Sequence, residues 1–162
     1  KIQFLRYNYH SFLEIIILLT LTDVTGGNMQ KQKTLVLLKP DVLQRNLVGK
    51  VLSIYEENDL KIIKMKMMDP TLEIAKAHYA EHEGREYYNR LIEYITSDTI
   101  VALILEGENA IERVRELNGP FDISKAKEGT IRKMYAISNN INCVHASDCI
   151  ENAEREMNIW FQ

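Results

Sequence analysis

Thr99-Ile100-Val101-Ala102-Leu103-Ile104-Leu105 is the clearest strand in the chain, seven residues with no charge and no turn former. Glu106-Gly107 closes it, and Asn109 then caps a helix whose Ile111, Val114 and Leu117 share one face. Asn118-Gly119-Pro120 stops that helix. Residues 119–131 read as a long loop with few apolar anchors, a length that in a compact domain is usually functional or disordered. Met134 to Ser138 is apolar and fits either a strand or packed coil. Asn142-Cys143-Val144-His145-Ala146-Ser147-Asp148 then reads as a short strand carrying one histidine and a tight turn, with a helix from Cys149 to Phe161. Asp148 with Glu151 three residues on resembles a capping box, and Ala153, Met157 and Trp160 form an apolar face.

Upstream of the central strand, Thr34-Leu35-Val36-Leu37-Leu38 is a second apolar run, suited to a strand buried on both faces and ended by Lys39-Pro40-Asp41. Asn46 is placed to cap a helix through Leu47, Val48, Val51, Leu52 and Tyr55, which Asn58-Asp59 breaks. Leu60 to Met68 alternates, with Ile63, Met65 and Met67 against Lys64 and Lys66, as in a half-buried strand. Asp69-Pro70-Thr71 opens a helical region with Pro70 in its first turn; it holds Ala75, His78 and Tyr79 and is interrupted at Gly84. Tyr87 to Ile95 is a further short helix with Leu91, Ile92 and Ile95 inward. The order is β-α-β-β-α-β with extra helices. It predicts an α+β fold of the ferredoxin-like plan: an antiparallel sheet with helices on one face and a long loop before the last strand.

A chain of 162 residues suggests one domain, and 46% hydrophobic with 27% charged residues is ordinary for a globular protein with a core. The net charge of -3 argues against a general binder of nucleic acid or membrane surfaces, while leaving room for a local basic pocket. Cys143 and Cys149 are the only cysteines, and with no disulfide framework they point to a reducing, cytoplasmic compartment. No set of residues has the spacing of a zinc site. Residues 1–28 differ from the rest. Phe12 to Leu21 is apolar but too short to span a membrane and lacks a cleavage site after it. Thr25-Gly26-Gly27-Asn28 leads into Met29, which reads as a true start preceded by translated upstream sequence. The rival reading is a weak membrane tether. The expected division is a non-family extension over 1–28 and a single domain over 29–162.

The chemistry concentrates around His145. If the last helix folds back along its strand, Glu156 reaches the imidazole, fixes its tautomer and leaves the other nitrogen with a free lone pair. The plainer reading is a half-buried histidine with its hydrogen bonds satisfied. Neither G-x-x-x-x-G-K-[ST] nor G-x-G-x-x-G occurs, so a nucleotide site here has to hold phosphates with side chains. Lys39, Arg115 and Arg132 are the candidates, each at the boundary of an element, and the planar fork of arginine matches phosphate oxygens.

Lys39-Pro40-Asp41 with Gln44-Arg45, His78-Tyr79, Glu106-Gly107 with Asn109, Gly129-Thr130-Ile131-Arg132, Asn142 to Asp148 and Trp160-Phe161 together resemble nucleoside diphosphate kinase, in order and interval, over about residues 31–162. Asn-x-x-His-x-Ser-Asp is that family's active-site signature, here with Ala146 where glycine is usual. The resemblance implies ping-pong transfer of a γ-phosphoryl group from ATP to another nucleoside diphosphate through phosphohistidine at His145, with Mg²⁺ bridging the phosphates. It implies that Glu156 orients the ring, that Lys39 and Tyr79 lie beside the moving group, and that Ser147 is the serine of the histidine turn. It further implies that Arg115 and Arg132 hold phosphates, that Asn142 binds the ribose hydroxyls, and that Tyr87 and Leu91 grip the base without reading its edge. A tetramer or hexamer is expected, with no specific nucleic-acid partner and no membrane partner unless residues 1–28 are part of the protein. The chain departs from the family's pattern at Phe121, where a threonine usually touches phosphate, at Val42 for glycine, and at Ile123 for proline. The Phe121 departure alone favours a second reading, a non-catalytic nucleotide-binding module on the same fold.

Overall fold

The computed structural model describes residues 31–162. The expectations for residues 1–28 and for a start at Met29 lie outside the described residues.

Four strands form one antiparallel sheet: β1 (Lys31–Leu38), β2 (Lys61–Met68), β3 (Ile100–Glu108) and β4 (Val144–Ala146), in the order β2-β3-β1-β4. The two apolar runs are the central pair, in register from Lys31↔Glu108 to Leu38↔Val101. The histidine strand closes one edge through Val36↔Ala146, Leu37↔His145 and Leu38↔Val144. Because directly opposed residues share a face, His145 stands on the side of Leu37.

Seven α-helices complete the described chain: α1 (Pro40–Gln44), α2 (Val48–Glu56), α3 (Leu72–His78), α4 (Tyr88–Ile95), α5 (Ala110–Asn118), α6 (Ile131–Tyr135) and α7 (Ile150–Trp160). The antiparallel sheet and the two crossover helices are those of the expected ferredoxin-like plan. Val36, Leu38, Val101, Leu103 and Leu105 pack on one face with Val51 and Tyr55 of α2 and Val114 of α5. The expectation of helices on one face only is corrected. Leu35, Leu37, Ile100 and Ala102 pack on the opposite face with Ala75 of α3, Ile92 and Ile95 of α4, and Trp160 of α7. The reason is in the central strands, which are apolar at consecutive positions and so leave no face fit for water.

Several local readings are displaced. Pro40 sits in the first turn of α1, a helix the sequence reading did not contain. Asn46 is not a cap: it has φ 56 in the turn before α2, whose N-cap Leu47 makes no side-chain bond. Pro70 stays outside α3, which Thr71 caps through its hydroxyl to the Ile74 amide at 3.3 Å. Asn109 is the N-cap of α5 by position, at φ 49, without a side-chain bond. The cap of α7 is Cys149, whose Sγ accepts from the Asn152 amide at 3.4 Å, while Asp148 accepts from the Asn152 side chain at 2.8 Å. Met134 and Tyr135 end α6, so the apolar segment there is not a strand. The long loop runs over 119–130, as expected to within one residue, and contains a 3-10 turn at Ile123–Lys125. On β2 the pairing shifts between Ile62 and Lys64, and Met65 and Met67 are 59% and 65% exposed, so this edge strand is less buried than its alternation suggests.

Leu103 is fully buried at the centre of the sheet, whereas Leu72 is 55% exposed. Leu103→Ala should cost about 2–5 kcal/mol in denaturant unfolding. Leu72→Ala should stay within about 0.5 kcal/mol of the parent protein.

Candidate active site

β4 is short because Cys143, at φ 69, turns the chain sharply before it and Ser147-Asp148 turn it after. This delivers His145 to the sheet edge, and α7 returns across the same face on its Ala153 and Trp160 side. The return brings the Glu156 carboxylate to His145, Oε2 to Nε2 at 3.1 Å. The Ser147 hydroxyl donates to the same oxygen at 2.5 Å. Glu156 is buried, 3% exposed, so its charge depends on these partners and on Arg155, whose Nη2 is 3.7 Å from the other oxygen. With Nε2 committed to the carboxylate, Nδ1 of His145 is the nitrogen left with a lone pair.

A second histidine stands behind the first. His78 is buried at the end of α3, its ring edge-on to His145 with centroids 4.4 Å apart. Burial, and then the neighbouring His145, hold its pKa well below the usual histidine range, so it is neutral. Its Nδ1 accepts from the Trp160 indole at 3.2 Å, which puts the hydrogen on Nε2. His78, His145 and Glu156 bring their ligand atoms within 4.8 Å of one another. A metal there would have to displace either the Trp160 hydrogen bond or the Nε2 proton, so the donor chemistry does not suit one.

The cationic side chains line two adjoining clefts that share His145, Arg132 and Phe121. The smaller, about 320 Å³, also holds Arg115 at the end of α5. Arg132 is fixed from both arms, Nη1 to the Gly119 carbonyl at 2.5 Å and Nη2 to the Val144 carbonyl at 2.9 Å. Its buried Nε has no partner among the described residues. Gly119 is needed at this point: φ is 78, and a Cβ would come within 2.7 Å of the Thr130 hydroxyl. The larger cleft, about 820 Å³, holds Lys39, Tyr79 and Asn142 at its inner end and Tyr87 and Leu91 further out. Lys39 is buried, 6% exposed, and donates to the Asn142 side-chain oxygen at 2.7 Å. Burial first, then the positive Arg132, pull the Lys39 pKa down to about 8. Burial pushes the Tyr79 phenol up, keeping it a donor.

Every site residue expected from the sequence therefore borders one cleft or the other, save Ser147, which reaches His145 through Glu156. Tyr87 is 41% exposed, with its hydroxyl 3.2 Å from His82 Nδ1. Phe121 is 60% exposed on the shared rim, so it does not anchor the loop from beneath. The sequence reading missed His82, which borders both clefts, the neutral support given by His78, and the buried Asp41 and half-buried Tyr94 beside Lys39. His82 and Tyr94 carry no signal beyond being polar residues near helix ends. Asp41 did carry one, since an acid two residues after a strand-end lysine is a ready counter-charge.

The nucleoside diphosphate kinase family model matches residues 32–162. The chain belongs to the nucleoside diphosphate kinase family. It is 51% identical over 133 residues to the nucleoside diphosphate kinase of Clostridium perfringens (strain ATCC 13124), covering 82% of this chain and 93% of that one. It is 50% identical over 129 residues to the one from Thermoplasma volcanium, covering 80% and 88%. The crystal structure of the Aquifex aeolicus nucleoside diphosphate kinase superposes with a TM-score of 0.79 at 34% identity, over 82% of this chain and 96% of that one. As an enzyme of this family, the chain is a kinase that moves the γ-phosphoryl group of a nucleoside triphosphate to a nucleoside diphosphate.

Phe121 borders both clefts, at the position where the resemblance implies a hydroxyl, and is too exposed to carry much packing. Phe121→Thr should tighten ADP binding by a few-fold, the worth of one hydrogen bond at about 0.5–1.5 kcal/mol. The gain should be absent for the bare nucleoside, with an unchanged melting temperature. Weaker ADP binding together with a lower melting temperature would mean that the ring holds the loop after all.

Proposed function

We propose that His145 is the phosphoryl carrier, attacking the γ-phosphorus through Nδ1. One observation carries the assignment: Nε2 is tied to the buried Glu156, which leaves Nδ1 as the nucleophile on a cleft wall shared with Arg132. In the first half-reaction the Nδ1–P bond forms as the bond to the ADP oxygen breaks. As the ring becomes cationic, the Glu156 carboxylate stabilises it, and Ser147 holds that carboxylate in line. A second nucleoside diphosphate then takes the phosphoryl group from Nδ1. Lys39 neutralises charge on the moving group with the Tyr79 hydroxyl beside it, and Arg115 and Arg132 hold the flanking phosphates. Asn142 faces the ribose, while Tyr87 and Leu91 cover the base, a contact that any base can make.

The cleft fits Mg²⁺ carried on the nucleotide and not a bare cation: Lys39, Arg90, Arg115 and Arg132 border the two clefts, and of their carboxylates Glu156 is already bound to His145 and Ser147 while Glu81, Glu93 and Asp148 are exposed. Its chemistry would be to screen phosphate charge. We further infer a homo-oligomer, tetramer or hexamer, and a cytoplasmic location. No helix among the described residues is long and apolar enough to cross a membrane. The His145–Glu156 pair outweighs the Phe121 departure and speaks against the non-catalytic reading, since a binding module has no use for a nucleophile held by its own carboxylate.

Incubation with γ-labelled ATP should leave acid-labile, base-stable label on the protein, and His145→Ala should abolish labelling and turnover while ADP still binds. Retained turnover in that variant would falsify the carrier assignment. Glu156→Gln should keep the fold and slow phosphorylation, since an amide cannot meet the ring as a charged acceptor does; an unchanged rate would remove Glu156 from the scheme.

A further inference from the structure

Asp41 is 4% exposed, acidic, and without a part in the chemistry above. It lies in the first turn of α1, two residues beyond Lys39, and three groups converge on it. The Tyr94 hydroxyl from α4 makes a short hydrogen bond to Oδ1. The Cys143 thiol donates to Oδ2 at 3.4 Å, and Arg45 Nη1 is 3.5 Å from the same oxygen. Tyr94 also meets the lysine, because Lys39 Nζ lies 5.8 Å from the centre of its ring. One aromatic side chain thus touches the ammonium with its face and the carboxylate with its hydroxyl.

We propose that Asp41 and Tyr94 are positioning residues for phosphoryl transfer: Tyr94 pins the Asp41 carboxylate, and the pair holds Lys39 in place as an ammonium. The proposal rests on Lys39 acting on the transferred group. Hydrogen-bond roles around the carboxylate are consistent, since burial and Asp41 push the Tyr94 phenol up and the Cys143 thiol up to about 12, so both remain donors. Around the lysine the balance is close. Burial and the positive Arg132 of α6 favour the neutral amine, whereas the Asp41 carboxylate favours the ammonium. Arg90 and Glu93 of α4 and His145 of β4 border the same cleft. A neutral amine would leave the phosphoryl group without its positive partner, so the carboxylate sets the upper pH at which Lys39 can serve.

The test is the pH dependence of kcat/KM, which reports groups of the free enzyme, over roughly pH 6–10. Lys39 serves while protonated, so activity should fall as pH rises through its pKa. Asp41→Asn should move that alkaline limb to lower pH by about one unit or more, the effect of removing one opposite charge at close range. Tyr94→Phe keeps the ring and loses the hydroxyl, and should move the limb the same way by less. The double variant should move no further than Asp41→Asn alone, because the hydroxyl acts through the carboxylate. Lys39→Met separates the two ideas. If it keeps full turnover, the role of Lys39 is wrong. If it is slow while Asp41→Asn leaves the limb in place, the positioning pair is wrong and Asp41 serves the fold alone. Should Asp41→Asn fail to fold, an unmoved limb in Tyr94→Phe overturns the proposal equally.

Discussion

The buried carboxylate of Glu156 is the constraint on which the site depends. A charge with 3% exposure survives only if polar partners replace water, and here His145, Ser147 and Arg155 supply them. His145 and Ser147 hold one oxygen, while His78 at 3.9 Å and Arg155 at 3.7 Å face the other. The donors to this anion come from β4, the following turn and α7, so satisfying it ties the histidine strand to the last helix. His78 donates nothing to it, because its Nδ1 accepts from Trp160, and its part is to stay neutral. Positive, it would compete with His145 for the same carboxylate, and burial prevents that.

Across the cleft the electrostatics run the other way. Lys39 is buried and Arg132 half-buried; burial and then Arg132 pull the Lys39 pKa down, and burial with Arg115 pulls the Arg132 pKa down. Their fixed bonds are mostly to neutral groups: Lys39 to Asn142, and Arg132 to two backbone carbonyls. Such contacts orient a cation without neutralising it. The wall is therefore preorganised for an anion and carries repulsion that Asp41 offsets only in part, which is how electrostatic catalysis avoids reorganisation during the reaction.

The order of elements and the His145–Glu156 contact were legible because each rests on one strong pattern: apolar runs at β1 and β3, and helical periodicity after the histidine. The second apolar layer was legible in principle from those same runs, since strands buried on both faces demand cover on both. The helix caps were not, because Asn46 and Thr71 are equally good cap formers in sequence. Tertiary geometry decides between them, giving Asn46 a left-handed backbone and Thr71 an open amide. Asp41, Tyr94 and Lys39 meet across 53 or more residues of chain, from α1 to α4, and no local pattern encodes that meeting. The exposure of Phe121 was not legible either, because it depends on how the loop leaves Gly119.

That loop has one further consequence. Gly119 and Thr130 are pressed together at its two ends, and Arg132 reaches across to the Gly119 carbonyl. The neck is thus stapled shut by contacts that do not involve the residues in between. Lengthening a closed loop costs only about 0.6 kcal/mol per doubling, so the intervening stretch can gain or lose residues while Arg115 and Arg132 keep their spacing. Evolution is free to rewrite the span between these two arginines, as a handle is reshaped without loosening its hinges.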